Sequence, residues 1–544
     1  MIFRTARFLI LPLAALVAGA AAPAQQQASL SPAAARVRAH VEFLASDLLE
    51  GRDTGSRGHE IAASYVVSQF EQLGLKPGGT NGGWYVQVPF RRASQPTPPT
   101  LSFTRGGKTV PLAIGTDGGV RASLVQKDRA LSGGLVFVGR GLQDRSLGID
   151  DYAGLDVRGK IVVAIQGTPK GLPSDIAAHL ASTKMRAAAA NGAIGFIDLS
   201  MPGERTSWTP ANISGRQLVS WVDADGNTPA GPAGKLAYIA LSEAWQNKLF
   251  EGAPRSAGHV RDDVKAGRAV KGFPLNGSIA LKSSTAWEDF TSPEVVGVLP
   301  GADPRLSSEH IVLMGHLDHL GVKKDAKPGE DAIYNGALDN ASGVATMLEA
   351  ARTFVNSGKA PRRSVMFIAN TGEEKGLVGA DYFSSHPTVP AERIVGLVDL
   401  DMPLLLYDFG DVIAFGAEHS TIAKAVANAA SSMKVAVSPD PMPEESLFVR
   451  SDHYPFVKQG VPAVFLMTGH ANGGKPMWDK FLSNEYHSVK DDLTQPIRWE
   501  AGARFAELNY RISRTMADAD QRPLWYARDY FGDTFAPTQP KAPR

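Results

Sequence analysis

The spacing of apolar residues divides the chain into three regions. Residues 37–48 and 61–73 carry apolar side chains three and four positions apart, which predicts two amphipathic helices. From about Val120 to Leu281, short β-rich runs such as "GKIVVAIQG" and "GAIGFIDLS" stand among Gly, Pro and polar loops, with one clear helix in "AAHLASTKMRAAAANG". From "SPEVVGVLPG" onward, apolar runs alternate with helical segments. The pattern predicts more than one domain.

The third region predicts an α/β fold. Helical segments such as "SGVATMLEAARTFVNS" separate its strand-like runs, which are "EVVGVLPG", "HIVLMGH", "RSVMFIAN", "RIVGLVDLDM", "DVIAFG" and "PAVFLMTG". That alternation is typical of a mainly parallel sheet sandwiched by helices. We expect one discontinuous domain over 25–119 and 282–521, a smaller β-rich α+β domain inserted at 120–281, and a Pro-rich C-terminal tail at 522–544.

The N-terminus has the order of a secretory signal. Two arginines precede an apolar run from about Phe8 to Ala22, and small residues follow, so we expect cleavage after Ala24. The alternative is a membrane anchor, but the run is shorter than the ~20 residues of a spanning helix, and Pro12 interrupts it. The sequence therefore predicts a signal peptide at 1–24 and no membrane association after its cleavage.

Composition excludes several classes of protein. The chain of 544 residues has a formal net charge of +1 and scattered basic residues, which argues against a nucleic-acid partner. It contains no cysteine, so disulfides and thiolate metal sites are excluded. For an exported chain this favours a bacterial periplasm or bacterial secretion over a disulfide-rich eukaryotic exterior.

Acidic and imidazole side chains follow the predicted strand ends or stand in nearby loops. Each alone has a plain alternative: a core histidine, a helix cap, a turn residue or a surface loop residue. Together they would repel one another or stay unsatisfied unless cations neutralise them. Because ligands bind beyond the carboxyl ends of strands in open α/β sheets, we expect them to converge. The candidates are His316, Asp339, Glu373, Glu374, Asp401 and His487.

Nitrogen and oxygen ligands suit Zn²⁺ and tolerate Mn²⁺ or Co²⁺. In one arrangement of the candidates His316 and Asp401 hold one ion, Glu374 and His487 hold a second, and Asp339 bridges the two. Paired ions of this kind activate water for hydrolysis.

Two further carboxylates then have other roles. Glu373, next to the proposed ligand Glu374, stays free to act as general base. Asp318 lies in reach of His316 and is expected to orient its imidazole ring through the carboxylate.

Several motifs together resemble one family, the co-catalytic zinc exopeptidases that include bacterial leucyl aminopeptidases and glutamate carboxypeptidase. The motifs occur in the family's order and cover roughly Pro293 to Asp492. The early segment "FLASDLLEGRDTGSRG" is also similar to the family's N-terminal part. The matching motifs are "GHLDHLG", "LDNASG", "GEEKGLVGADYF", "LDMP", "RSDHYPFVKQGVPAVFL" and "YHSVKDD".

The resemblance implies two Zn²⁺ ions per chain and a role for each matching residue. Glu373 is implied as the general base, Asp318 as the carboxylate that orients the first histidine ligand, Tyr486 as a group that polarises the substrate carbonyl, and Arg450 as a substrate contact. His319 and His453 lie inside the motifs but are not expected to bind metal. The implied metal ligands are His316, Asp339, Glu374, Asp401 and His487.

The implied activity is that of an exported zinc metallopeptidase, foremost an aminopeptidase that releases N-terminal residues from peptides by metal-activated water. A carboxypeptidase or dipeptidase on the same scaffold is the alternative, and it would need a cationic pocket for the substrate carboxylate. Glutaminyl cyclisation and a non-catalytic binding protein are further options. The 120–281 region resembles a protease-associated domain, which would either roof the active site or act as a spacer.

Overall fold

The computed structural model describes residues 29–201 and 208–544. The predicted signal peptide at 1–24 lies outside these residues. Within them, every helix is too short or too polar to cross a membrane.

Two large β-sheets organise the described part of the chain. The strands, in chain order, are β1 (Lys76–Pro77), β2 (Tyr85–Ser94), β3 (Thr100–Arg105), β4 (Lys108–Pro111), β5 (Gly118–Val120), β6 (Asp128–Phe137), β7 (Gln143–Asp144), β8 (Ile149–Asp150), β9 (Ile161–Ile165), β10 (Gly195–Leu199), β11 (Leu218–Trp221), β12 (Ala237–Leu241), β13 (Phe273–Ser284), β14 (Ala286–Leu299), β15 (His310–His316), β16 (Gly321–Val322), β17 (Ile333–Tyr334), β18 (Ser364–Asn370), β19 (Ile394–Asp399), β20 (Asp411–Phe415), β21 (Ala436–Ser438) and β22 (Ala463–Thr468).

Helices pack against both sheets. They are α1 (Pro32–Leu44), α2 (Arg57–Gln72), α3 (Ser174–Ala190), α4 (Pro210–Ile213), α5 (Glu243–Leu249), α6 (Ala257–Lys265), α7 (Ser342–Asn356), α8 (Val378–Ser385), α9 (Ile422–Ser432), α10 (His453–Lys458), α11 (Gly474–Lys480), α12 (Trp499–Asp518) and α13 (Tyr530–Phe535).

The first sheet confirms the α/β class and carries the predicted strands. Its order is β11-β2-β14-β18-β15-β19-β22-β20-β21, with β1 attached to β14. The central strands β18, β15, β19 and β22 run parallel, and the strands toward both edges include antiparallel pairs, so the sheet is mixed. The parallel centre is buried on both faces, as its unbroken apolar runs predict.

The second sheet has the order β4-β3-β13-β6-β9-β10-β12-β5. Its extent differs from the predicted insertion at 120–281. Strands β3 and β4, before residue 120, belong to it because β3 pairs antiparallel with β13. Conversely, β11 lies within the predicted insertion but pairs with β2 of the first sheet. Strand β11, from the predicted insertion, therefore extends the first sheet, so the two units are joined by strand pairing as well as by the chain connections.

The C-terminal segment expected as a Pro-rich tail is packed onto the first unit. Trp525 and Phe531 are fully buried. The indole N–H of Trp525 donates to the carbonyl of Gly460, 2.9 Å away. Residues 522–544 thus contribute to the core, since two large aromatic rings outweigh the proline content of the segment.

Candidate metal centre

The predicted site residues lie along one edge of the first sheet. His316 is the last residue of β15, Glu373 and Glu374 follow β18, and Asp401 follows β19 by two residues. Because β18, β15 and β19 are parallel neighbours, their carboxyl ends meet at this edge. Asp339 reaches the same edge from the turn Ala337–Ala341, just before α7.

His316, Asp339 and Asp401 form the first cluster. Nε2 of His316 lies 3.2 Å from Oδ1 of Asp401 and 3.3 Å from Oδ1 of Asp339. All three side chains are buried. These residues could hold one metal ion through one nitrogen and two oxygens.

His487 and Glu374 form the second cluster, again with Asp339. Nε2 of His487 lies 3.3 Å from Oδ2 of Asp339 and 3.2 Å from Oε2 of Glu374. Asp339 therefore faces the first cluster with one carboxylate oxygen and the second with the other. That is the geometry that a bridging ligand requires.

The spacing of these atoms fits zinc. Two ligand atoms on a tetrahedral Zn²⁺ at about 2.0–2.1 Å lie roughly 3.3–3.4 Å apart, and the four nitrogen–oxygen distances above are 3.2–3.3 Å. Oδ2 of Asp339 is buried and accepts no aligned hydrogen bond from any described residue. Buried carboxylate oxygens without donors need a cation.

The charges of the two clusters are strongly coupled. Burial opposes ionisation of Asp339, yet its close contacts with His316 and His487 hold its pKa well below the usual range. Burial and Asp339 raise the pKa of Glu374, but His319 and His487 outweigh them and lower it to about 2. Burial lowers the pKa of His487, and its contacts with Asp339 and Glu374 raise it to about 10. Both carboxylates are therefore ionised, and His487 carries a proton that a bound metal ion would have to displace.

Glu373 differs from its neighbour Glu374. Burial raises its pKa well above the usual range, and the nearby carboxylates of Glu374 and Asp401 add to the rise, partly offset by His316. Its side chain lines a cavity of about 550 Å³ together with Asp339 and Asp401. A carboxylate with a raised proton affinity at the cavity wall suits a group that accepts a proton during the reaction.

Asp318 does not orient His316 in the predicted way. The carbonyl oxygen of Asp318, not its carboxylate, accepts from Nδ1 of His316 at 3.0 Å. The carboxylate instead accepts from the hydroxyl of Thr54 at 2.7 Å and from the backbone N–H of Glu373 at 3.2 Å. The backbone turns immediately after His316, so the carbonyl is the nearer acceptor, and the carboxylate fixes the loop of the proposed base.

Tyr486 and Arg450 both line the same cavity. The ring of Tyr486 stacks on His487 with 3.8 Å between ring centroids. Arg450 donates to the carboxylate of Glu445 at 2.9 Å and to the carbonyl of Glu445 at 3.1 Å. Its charge is therefore already paired with an acidic neighbour.

Three supporting residues, Arg52, Asp491 and Ser451, were not predicted from the sequence, and a fourth, His319, was named only as a residue that does not bind metal. Buried Arg52 donates to the carbonyls of Leu44, Leu317, Asn335 and Gly336, which ties the loops of the ligands His316 and Asp339 together. The carboxylate of Asp491 accepts from the N–H groups of Leu338 and Asp339, and the hydroxyl of Ser451 contacts Asp401. His319 contacts Glu374. All four lie in the quoted motifs, which is the signal that could have found them.

Comparison with known proteins identifies the region that carries this site. The model of the family "Peptidase family M28" matches residues 294–513. This region belongs to peptidase family M28. The match includes every residue of both clusters, and zinc is the metal that the family implies.

Relatives and solved structures extend the comparison. The chain is similar to a probable zinc metalloprotease of Phaeosphaeria nodorum, with 33% identity over 173 residues, which cover 30% of this chain and 32% of that protein. It is also similar to the alkaline phosphatase isozyme conversion protein of Escherichia coli, with 30% identity over 105 residues, 19% of this chain and 29% of that protein. The chain thus spans about a third or less of the length of these curated relatives.

One solved structure shares the fold over nearly the whole chain. The aminopeptidase from Aneurinibacillus sp. strain AM-1 superposes with a TM-score of 0.50 at 21% identity, covering 91% of this chain and 97% of that one. The arrangement of a large mixed sheet and a second sheet therefore has a precedent in a solved structure.

Proposed function

We propose that this chain is a zinc aminopeptidase with two metal ions, which removes N-terminal residues from peptides. The convergence of five ligand side chains into two clusters that share Asp339 supports two ions rather than one. His316 and Asp401 would hold one ion, and Glu374 and His487 the other. Bound zinc supplies Lewis acidity, which polarises the scissile carbonyl and makes water more acidic.

The side chains around the clusters provide the remaining chemistry. Glu373 accepts the proton of the attacking water and passes it to the leaving amine. Its backbone N–H is held by the carboxylate of Asp318, which keeps the base at the cavity wall. Tyr486, which lines the cavity, would donate its hydroxyl hydrogen to the substrate carbonyl oxygen. These roles require a substrate whose scissile bond lies at the inner end of the cavity.

The charge of the cavity favours an amino terminus over a carboxyl terminus. Its arginine and lysine are each paired: Arg450 with Glu445, and Lys475 with Asp479 at 2.8 Å. Burial lowers the pKa of the third basic residue of the lining, His470, which disfavours its charged form. Glu444 adds a further acidic group to the lining. A substrate carboxylate would thus find no unpaired cation among the lining residues, whereas an α-ammonium group would meet an excess of carboxylates. The charges of the lining residues therefore support cleavage at the amino terminus of the substrate.

The apolar side chains of the cavity wall indicate which N-terminal residue the peptide substrate would have. Part of its wall is apolar and includes three methionines, whose side chains adapt to bulky apolar ligands. We therefore expect a large aliphatic or aromatic N-terminal residue. The apolar lining residues are Met402, Met442, Leu447, Phe465, Met467, Trp478 and Leu482.

A carboxypeptidase on the same scaffold is the competing function, and a set of four peptides separates the two. Zinc-loaded protein is incubated with the tripeptide Leu-Gly-Phe in its free form, N-acetylated, C-amidated and blocked at both ends, with a chelator-treated sample as control. An aminopeptidase cleaves the free and C-amidated peptides and leaves the N-acetylated peptide intact. Cleavage of the N-acetylated but not the C-amidated peptide would overturn the proposal.

We further propose that the enzyme is exported through the signal at 1–24 and that the second unit is a protease-associated domain. Helix α3 of that unit packs against the turns Pro443–Glu445 and Leu447–Val449. Both turns contribute residues to the cavity wall. This contact favours a role in shaping the cavity over that of a passive spacer.

A further inference from the structure

His319 occupies a position beside the second cluster that the ligand pattern does not explain. It stands three residues after His316 in "GHLDHLG", and its side chain is completely buried. A fully buried imidazole requires a polar partner, since its nitrogens otherwise lose their hydrogen bonds to water.

The nearest carboxylate is that of Glu374. Nδ1 of His319 lies 2.7 Å from Oε1 of Glu374 and 3.9 Å from Oδ2 of Asp339. Neither distance matches the 3.2–3.3 Å spacing of the four ligand contacts. The shorter distance is that of a charge-assisted contact between nitrogen and carboxylate, although it does not lie along the N–H axis of the ring. His319, Asp339 and Glu374 lie close enough together to share a metal ion. The 2.7 Å contact is nevertheless shorter than the spacing of the four ligand contacts, which sets His319 apart from the ligand nitrogens.

The two oxygens of Glu374 face different histidines. Oε2 lies 3.2 Å from Nε2 of the proposed ligand His487, and Oε1 lies 2.7 Å from Nδ1 of His319. The rings of the two histidines meet edge to face, with 6.0 Å between centroids. The carboxylate is thus held between them, with one oxygen left for the metal position that it shares with His487.

The lack of a side chain at Gly336 leaves the space that the ring of His319 fills. A Cβ atom on Gly336 would lie 2.7 Å from both Cγ and Cδ2 of the ring, so only glycine fits there. The backbone N–H of His319 donates to the carbonyl of Arg52 at 3.2 Å. The ring is therefore fixed by packing against a glycine and by a backbone anchor, and it cannot turn away from Glu374 without a rearrangement of the site.

We propose that His319 is a positioning residue that holds Oε1 of Glu374 and so presents Oε2 to the metal position shared with His487. This inference rests on the two-ion site proposed above. The residues that support a carboxylate ligand affect metal affinity by about 10–100-fold when they are removed. The effect should fall on one ion only, because His316 and Asp401 have no contact with His319 among the described residues.

The test compares His319→Leu, which removes the nitrogen, with His319→Asn, whose amide nitrogen can take the place of Nδ1. Zinc content and the two zinc dissociation constants are measured by competition with a chromophoric chelator. Thermal unfolding of the metal-free proteins separates folding from binding. His40→Leu is the matched control, since His40 is also buried but contacts Tyr65 in α2.

We expect His319→Leu to weaken one of two zinc sites by about 10–100-fold, His319→Asn to restore most of that loss, and the control to bind as the wild type does. Unchanged zinc affinities in His319→Leu would overturn the role of His319 while leaving the proposed function intact. Equal losses in both His319 variants would also overturn it, because the contact to Oε1 would then not be what matters. A wild-type protein that binds fewer than two zinc ions would overturn the proposed function itself.

Discussion

At the scale of single residues, two adjacent glutamates take different positions. Glu374 turns inward between two histidines, and Glu373 turns to the cavity wall. The sequence could predict this division because adjacent side chains on a turn point in different directions. It could not predict which atom of Asp318 meets His316, since the choice between carbonyl and carboxylate depends on backbone direction after the strand.

Glu373 is the proposed general base, so its substitution should lower turnover without removing zinc. Glu373→Gln keeps the shape of the side chain but cannot accept a proton, so kcat should fall by about 10²–10⁴. Zinc content should not change, because none of the ligand contacts involves Glu373. Steady-state assays with a leucyl peptide and zinc analysis check both statements.

Glu374→Gln is the matched comparison, as it should lose zinc along with activity. A Glu373→Gln enzyme with wild-type turnover would show that another group serves as the base. A variant that lost zinc as well would place Glu373 among the ligands.

At the scale of elements, the sequence predicted the strands of the parallel centre but not all their partners. The strand β15 was recognisable because its apolar run is unbroken. The pairing of β11 with β2, and of β3 with β13, joins segments more than a hundred residues apart. Such pairings depend on the tertiary fold and leave no local pattern, so the boundary of the second unit was misplaced.

A histidine of the first unit, His419, contacts helix α3 of the second unit. Nε2 of His419 lies 2.8 Å from Oδ2 of Asp175 in the first turn of α3, and Nδ1 lies 2.8 Å from Oδ2 of Asp529. Burial lowers the pKa of His419, but the two carboxylates, with a smaller contribution from Glu418, raise it to about 9. Arg544 also faces Asp529, at 3.5 Å. His419 is therefore a buried imidazolium between two units.

The contacts of His419 with Asp175 and Asp529 predict a pH dependence of stability. A histidine whose pKa is raised in the folded state stabilises the protein fully below its unfolded pKa, about 6.5, and the contribution is lost as the pH rises through 9. The shift corresponds to at most about 3 kcal/mol. Urea unfolding of the wild type and His419→Gln at pH 6.5 and 9.5 should give a stability difference that is large at the lower pH and small at the higher one. A difference independent of pH would mean that His419 is neutral in the folded protein.

At the scale of the whole molecule, residues of the second unit contact both the C-terminal segment and the first unit. Asp144 of the second unit accepts from the hydroxyl of Tyr530 at 2.7 Å, and the indole of Trp221 donates to Asp381 of α8 at 3.0 Å. The strand that carries Trp221 extends the first sheet. The described units are therefore joined by side-chain hydrogen bonds as well as by strand pairing.

In the proposed site, five side chains from separate strands and loops bind two divalent ions, with Asp339 between them. Crystals of the zinc-loaded protein, with diffraction measured on both sides of the zinc absorption edge, test it most directly. We expect two anomalous peaks roughly 3.5–4 Å apart, one contacted by His316 and Asp401, the other by Glu374 and His487. A single peak, or zinc bound away from these five residues, would contradict it.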